Sequence, residues 1–140
     1  MSNTVKLEII TLTRPLYNGR IVSVTVPTTE GEITVLPNHI PLMTPLKAGE
    51  IVVRHEGGKE DYIAISGGFL VVAPKKITIL VDSAEMLEEL DEKKIQEAKD
   101  RAEKLLTDKQ FADDRAFADA TAMLEKSIAQ MKVLKRRKHH

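Results

Sequence analysis

The sequence predicts an α+β protein: an N-terminal antiparallel β-sandwich or barrel of many short strands, followed by a C-terminal two-helix antiparallel hairpin. Three observations carry this reading. Apolar and polar residues alternate with a period of two at several places before Ser83, as in half-buried strands. All 7 Gly and all 6 Pro lie at or before Pro74, so residues 75–140 contain neither of the common helix breakers. Past Asp91 the apolar residues recur at spacings of three and four, which line one face of a helix. The stretch Ser83 to Arg101 joins the two parts, with residues 1–84 as the strand unit and 85–140 as the helical unit.

Within the first part, Val5-Lys6-Leu7-Glu8-Ile9, Val22-Ser23-Val24-Thr25-Val26 and Ile77-Thr78-Ile79 alternate cleanly, and similar runs occupy Glu32 to Leu36, Glu50 to Arg54, Asp61 to Ser66 and Phe69 to Ala73. Turn formers separate them at Pro15 to Gly19, Pro27 to Gly31, Pro37 to Pro41, Gly57-Gly58, Gly67-Gly68 and Pro74-Lys75. Ile63-Ala64-Ile65 and Phe69 to Ala73 are apolar at consecutive positions. Those two strands are expected to be central, covered on both faces or lying under a partner.

In the second part, Ile95, Ala98, Ala102, Leu105 and Leu106 form one helical stripe, and Phe117, Ala120, Leu124, Ile128, Met131 and Leu134 form another. Asp91 suits the N-cap of the first helix, since its carboxylate can accept from the free backbone donors of the first turn. Glu92 adds negative charge where the helix dipole favours it. Thr107-Asp108-Lys109-Gln110 has the pattern of a capping box and Asp113-Asp114 offers a second start for the next helix, which places the bend near Thr107 to Asp113. Ala supplies 8 of the residues from Glu85 to His140; it forms helix well but buries little area, so the hairpin is expected to be weakly held. Joined end to end, Asp91 to Arg137 would make a rod of about 70 Å at roughly 1.5 Å per residue. An arm with two conformations is therefore expected.

Composition narrows the function. A chain of 140 residues has room for one ordinary domain, or a compact domain with an appendage. With 42% hydrophobic, 30% charged and only 4% aromatic residues, it reads as a globular protein with an aliphatic core. Residues 1–84 carry 8 basic and 8 acidic side chains against totals of 21 and 21, so the helical part is the more highly charged. The absence of Cys excludes disulfides, thiolate metal sites and a cysteine nucleophile. No stretch approaches the roughly 20 apolar residues of a membrane span, and Met1 to Leu16 lacks the basic start and apolar region of a signal peptide. No Ser sits in a nucleophile elbow and no glycine-rich phosphate loop precedes a helix, so neither catalytic nor metal-binding residues are expected.

His39 stands on a loop stiffened by Pro37 and Pro41, and on its own reads as an exposed loop histidine. His55 adjoins an apparent hairpin end, and His139-His140 read equally as native residues or as a tag remnant. The chain closes on Lys132, Lys135, Arg136, Arg137 and Lys138 with no acid after Glu125. These cations suit the negative end of a helix dipole. As a docking feature they fit an acidic protein surface better than nucleic acid, because no aromatic residue adjoins them for base stacking.

Taken together, Gly31-Glu32-Ile33-Thr34-Val35-Leu36-Pro37-Asn38-His39-Ile40-Pro41-Leu42, Ser66-Gly67-Gly68-Phe69, Ile77 to Ala84 and Leu90-Asp91 resemble the epsilon subunit of the bacterial F-type ATP synthase. The motifs match in order and spacing over essentially the whole chain. The resemblance implies a flattened sandwich of about ten short strands and a helical hairpin, in a non-catalytic subunit of the central rotor. It implies the gamma subunit and the membrane ring of c subunits as partners, with alpha and beta subunits engaged when the arm is extended to restrain ATP hydrolysis. It also implies a peripheral place on the cytoplasmic face of the bacterial cell membrane and no required cofactor. Glu32 matches a family position close to the polar loops of the c ring, and His39 would share that contact region. Lys132, Lys135 and Arg136 resemble the basic second helix, which faces an acidic loop of the beta subunit in the extended state.

Some members of that family bind ATP at the start of the first helix through Ile or Leu, Asp, two residues, Arg, Ala. Here the chain reads Leu90-Asp91-Glu92-Lys93-Lys94-Ile95, so Lys94 loses the planar fork of arginine and Ile95 puts a branched side chain at a small position. Arg101, on roughly the same helix face as Lys94, matches a basic family position. Leu90, Asp91, Lys94 and Arg101 are thus the candidate residues for a weak regulatory ATP that would stabilise the folded hairpin. Two other classes compete with the rotor reading: an independent ligand-binding sandwich with a helical oligomerisation arm, and an enzyme using His39 or His55 with a nearby carboxylate. Co-purification with gamma, alpha and beta subunits separates the rotor reading from the free ligand-binding sandwich.

Overall fold

The computed structural model describes residues 3–107 and 114–138, so Asp108, Lys109, Gln110, Asp113, His139 and His140 lie outside the described residues. Ten strands run in order: β1 (Val5–Thr11), β2 (Pro15–Ile21), β3 (Ser23–Thr28), β4 (Gly31–Val35), β5 (Leu42–Leu46), β6 (Gly49–Arg54), β7 (Glu60–Ile65), β8 (Gly68–Ala73), β9 (Lys76–Val81) and β10 (Ala84–Met86). A 3₁₀ turn over Leu87–Glu89 leads to α1 (Glu92–Thr107) and then α2 (Asp114–Lys138). The last strand straddles the expected division between residues 84 and 85.

Strands are ordered β10-β7-β6-β3-β5-β8-β9-β1-β2, with β4 also on β3. All pairs are antiparallel except β1 with β9, which is parallel. The link between β3 and β5 is a single pair, Thr28 with Leu46, and there the sheet folds over on itself. The alternating residues then meet from both halves: Val24, Val26, Ile51, Val53, Ile63 and Ile65 face Leu7, Ile9, Leu70, Val72, Ile77 and Ile79 in one aliphatic core. Period-two alternation is what allows this, since one side of each strand points inward.

One strand arises where a turn is expected, and another where the sequence reading assigns no strand. Pro15 to Gly19 forms most of β2, an edge strand with Pro15 at its first position, where a missing N–H costs the ladder nothing. The preceding turn is organised by Thr11, whose Oγ1 accepts from the Arg14 N–H at 3.1 Å and donates to the Arg14 carbonyl at 2.8 Å. Pro45 lies within β5, which pairs fully with β8 but touches β3 only through Leu46, so the side lacking an N–H has no ladder to break.

The outer face of β6 and β7 presents Val52, Tyr62 and Ala64, which pack with Leu90, Ile95, Val133 and Leu134 in a second, smaller cluster. α2 lies on this face and α1 packs on α2. β7 is therefore covered on both sides. β8 is not: Leu70 and Val72 enter the core, but Phe69 is 39% exposed on the other face.

The stripe expected for α2 is shifted in phase. Ala120 and Leu134 are buried as expected, but Phe117 and Ile128 are exposed, and Ser127, Ala129, Gln130 and Val133 are buried instead. The helix is gripped from two sides, by α1 and by the sheet, so its buried arc is wider than a single stripe and includes small and polar residues. In α1 the buried positions are Ile95 and Ala102, while Leu105 is exposed. Thr107 ends α1, its hydroxyl donating to the Lys104 carbonyl at 3.0 Å, while the rest of the expected capping box, Asp108 to Gln110, lies outside the described residues. The described part of α2 runs from Asp114 to Lys138.

Candidate functional site

The joint between sandwich and arm is built around Glu89 and Asp91. Glu89 accepts from the Met86 N–H at 3.1 Å and from Arg14 at 2.9 Å, and these two donors hold its carboxyl below the usual carboxylate range. Asp91 is the N-cap: its Oδ1 accepts from the Lys94 N–H at 3.2 Å and its carbonyl from the Ile95 N–H at 3.0 Å. Leu90 and Ile95 turn into the small apolar cluster beneath α2.

Beside this joint, β10, the 3₁₀ turn, α1 and α2 enclose an open groove of about 430 Å³. Asp91, Lys94 and Arg101 line it, so three of the four candidate nucleotide residues meet in one place, with Ile95 also on its wall. Leu90 does not line it; only 5% exposed, it anchors the joint. α2 contributes Lys126, Ser127 and Gln130, which sequence reasoning missed because no spacing within one helix reveals what the other helix brings. Its acids are engaged: Glu85 accepts from Gln130, Glu89 pairs with Arg14, and Asp91 caps α1. Its cations Lys94, Arg101 and Lys126 have no ion-pair partner among the described residues. Such an arrangement suits a polyanion, with cations converging from two helices onto a space closed only when both helices are docked.

The basic end of α2 is placed quite differently from a solvated helix tip. Arg136 makes a two-pronged contact with Glu50 on β6, Nε to Oε2 at 3.1 Å and Nη2 to Oε1 at 2.9 Å, and its guanidinium lies 4.9 Å from the centre of the Tyr62 ring. The hydrogen bond to Glu50 pushes the Arg136 pKa up still further. One turn earlier, Lys132 approaches Glu32 on β4 at 3.9 Å, joining two residues to which the sequence assigns separate surfaces. Lys135 is exposed and has no ion-pair partner among the described residues. Glu50 gives no sign of its role in sequence, where it reads as the polar start of a strand.

His39 lies on the loop after β4, following Asn38 at φ 67°, with its Nδ1 2.7 Å from the Ile40 carbonyl and Leu36 and Ile40 exposed around it. His55 does find a carboxylate, Asp61 at 2.7 Å from Nε2, while the Tyr17 hydroxyl lies 3.4 Å from Nδ1. Both ring nitrogens are thus taken up in tying β2 to the β6–β7 hairpin. A further surface escaped the sequence reading. Met43 on β5, Phe69 on β8 and Leu80 on β9 are exposed on neighbouring strands, with Leu12 beyond β1, giving an apolar outer face opposite the one that α2 covers.

The chain is a folded-over sandwich with one outer face bare, the other covered by a charged hairpin, and a cationic groove at the joint. The family model for the β-sandwich domain of the ATP synthase delta/epsilon chain matches residues 4–87. ATP synthase epsilon chains of Dehalococcoides mccartyi (strain BAV1) and Chromobacterium violaceum are each 40% identical, the former covering 96% of this chain and 95% of the relative, the latter 96% and 97%. This chain belongs to the ATP synthase epsilon chain family, a non-catalytic subunit of that complex. Among solved structures, a chain of the Euglena gracilis mitochondrial ATP synthase (OSCP, F1 and c ring) superposes with a TM-score of 0.82 at 28% identity, covering 96% of this chain and 83% of that one. A chain from the central stalk and c ring of the Tetrahymena thermophila enzyme shares the fold, with a TM-score of 0.59 at 14% identity over 91% and 94% of the two chains.

Proposed function

We propose that the protein works in the central stalk of a bacterial F-type ATP synthase, coupling the catalytic head to the c ring and restraining ATP hydrolysis through its helical arm. The observation that carries this is the likeness to bacterial epsilon chains, which runs through the hairpin as well as the sandwich. The apolar face of Met43, Phe69 and Leu80 is the surface for the gamma subunit, since an uncovered sheet face of this kind needs a partner. Glu32 and His39, on β4 and the loop after it, serve the contact with the c ring. On this reading the protein sits peripherally at the cytoplasmic side of the cell membrane. Among the described residues no helix is long and apolar enough to cross a membrane.

In the restraining state α2 leaves the sandwich, and Lys132, Lys135 and Arg136 meet an acidic surface of the beta subunit, with the alpha subunit alongside. ATP in the groove of Asp91, Lys94, Arg101 and Lys126 favours the docked hairpin. Lys135 offers the cleanest test because it has no ion-pair partner among the described residues of the docked arm. Adding the full chain to a complex depleted of this subunit should lower ATP hydrolysis. The variant Lys135→Gln should restore part of the activity at low ionic strength, with the difference shrinking as salt screens the contact. No inhibition by the unaltered chain would remove the regulatory reading, and equal inhibition by the variant would remove Lys135 from it.

A further inference from the structure

We propose that Glu50 and Arg136, assisted by Glu32 and Lys132, form an ionic latch that holds α2 on the sandwich and keeps Lys132 and Arg136 occupied until the arm is released. The inference deepens the two-position reading above and rests on it. Glu50 is 2% exposed, and both of its oxygens are bonded by the one guanidinium of Arg136. That guanidinium is also stacked on Tyr62 and stands on the helix that covers the carboxylate. Lys132 and Arg136 are four residues apart, so they project from the same side of α2 and reach acids on two different strands, β4 and β6.

The geometry makes the pair specific to one state. With α2 docked, removing Arg136 leaves a carboxylate buried without its counter-charge, which is costly; with α2 away, both groups return to water and the same change costs nothing. Because the pair exists only with α2 docked, losing either partner alone penalises the docked arm and leaves the undocked arm unaffected. The pair also makes release competitive. Arg136 cannot serve Glu50 and an acidic partner at once, so a partner surface must displace Glu50 to capture it, and Lys132 must leave Glu32.

Hydrogen exchange on the full chain tests this, comparing the unaltered protein, Glu50→Gln, Arg136→Gln and the double variant. Each single change is expected to speed exchange at amides 127–136 by about 10-fold or more relative to β1 and β9, and the double change by clearly less than the product of the two. Arg136→Lys, which keeps the charge but not the fork, should fall between. Protection of β1 and β9 reports whether each variant has folded. Unchanged or independent effects, in proteins whose α2 opens separately from the sandwich, would overturn the latch alone. If α2 opens only together with the sandwich in all four proteins, the two-position reading falls and the latch falls with it.

Discussion

A methyl group at Gly68 would lie 2.2 Å from the Leu80 carbonyl oxygen and 2.9 Å from the Val81 Cα, both backbone-fixed positions of β9. The neighbouring Gly67 has φ 136°, which side chains rarely adopt, so the chain enters β8 by a path that glycine alone permits. Gly68→Ala should therefore force β8 and β9 apart where Gly68 pairs with Val81, costing about 1–3 kcal/mol. A lower urea midpoint with an unchanged slope is the expected reading, and an unchanged midpoint would show that the strand pair yields. The turn at Gly67-Gly68 is legible in sequence; the close approach that demands Gly68 is not. The same contrast holds at the site. Asp91 is readable as a cap because its partner, Lys94, lies within one helical turn. The burial of Glu50 is set by a helix residue 86 positions away, which no local pattern reports.

At the scale of elements, the docking of α2 is decided by which residues face the sheet. Val133 is 0% exposed in the cluster with Val52, Tyr62 and Ala64, whereas Ile128 is 50% exposed. Val133→Ala removes the equivalent of two buried methylenes and should weaken the docked arm by about 2 kcal/mol, seen as faster exchange in α2 before any change in the sandwich. Ile128→Ala should change it by no more than about 0.5 kcal/mol, and equal effects would contradict the observed phase of the helix. That phase was only partly legible. Apolar spacing marks a helix and its approximate face, but Ser127 and Gln130 are buried because α1 and β10 surround them, Gln130 donating to Glu85. Likewise the alternating strands β1, β3 and β9 announce themselves, while β2 and β5 hide behind Pro15, Gly19 and Pro45. Those residues are tolerated because β2 is an edge strand and β5 meets β3 only at Leu46, a property of sheet order that sequence does not carry.

For the whole molecule, the groove matters because no single element owns it. Glu85 comes from β10, Asp91, Lys94 and Arg101 from the start and face of α1, and Lys126 from α2, so the site exists only while the hairpin stays on the sandwich. A ligand that binds one state alone shifts the balance toward it by an amount fixed by concentration over affinity. ATP at ten times its dissociation constant would favour the docked arm by about 1.4 kcal/mol, roughly a tenfold change in the population ratio. With Lys94 in place of a forked arginine, the expected affinity is weak, so the proposed shift would need abundant ATP. Titration of the full chain with ATP and magnesium in a calorimeter should give saturable heat at up to millimolar ATP. Lys126→Ala should weaken binding as much as Lys94→Ala, although sequence reading nominates only the latter. The same ATP should slow exchange in α2 and leave β1 and β9 unchanged if, as proposed, only the arm changes position. Heat without protection of α2 would mean that the nucleotide binds elsewhere, and no heat at millimolar ATP would leave the Glu50–Arg136 contact to hold the arm without a ligand's help.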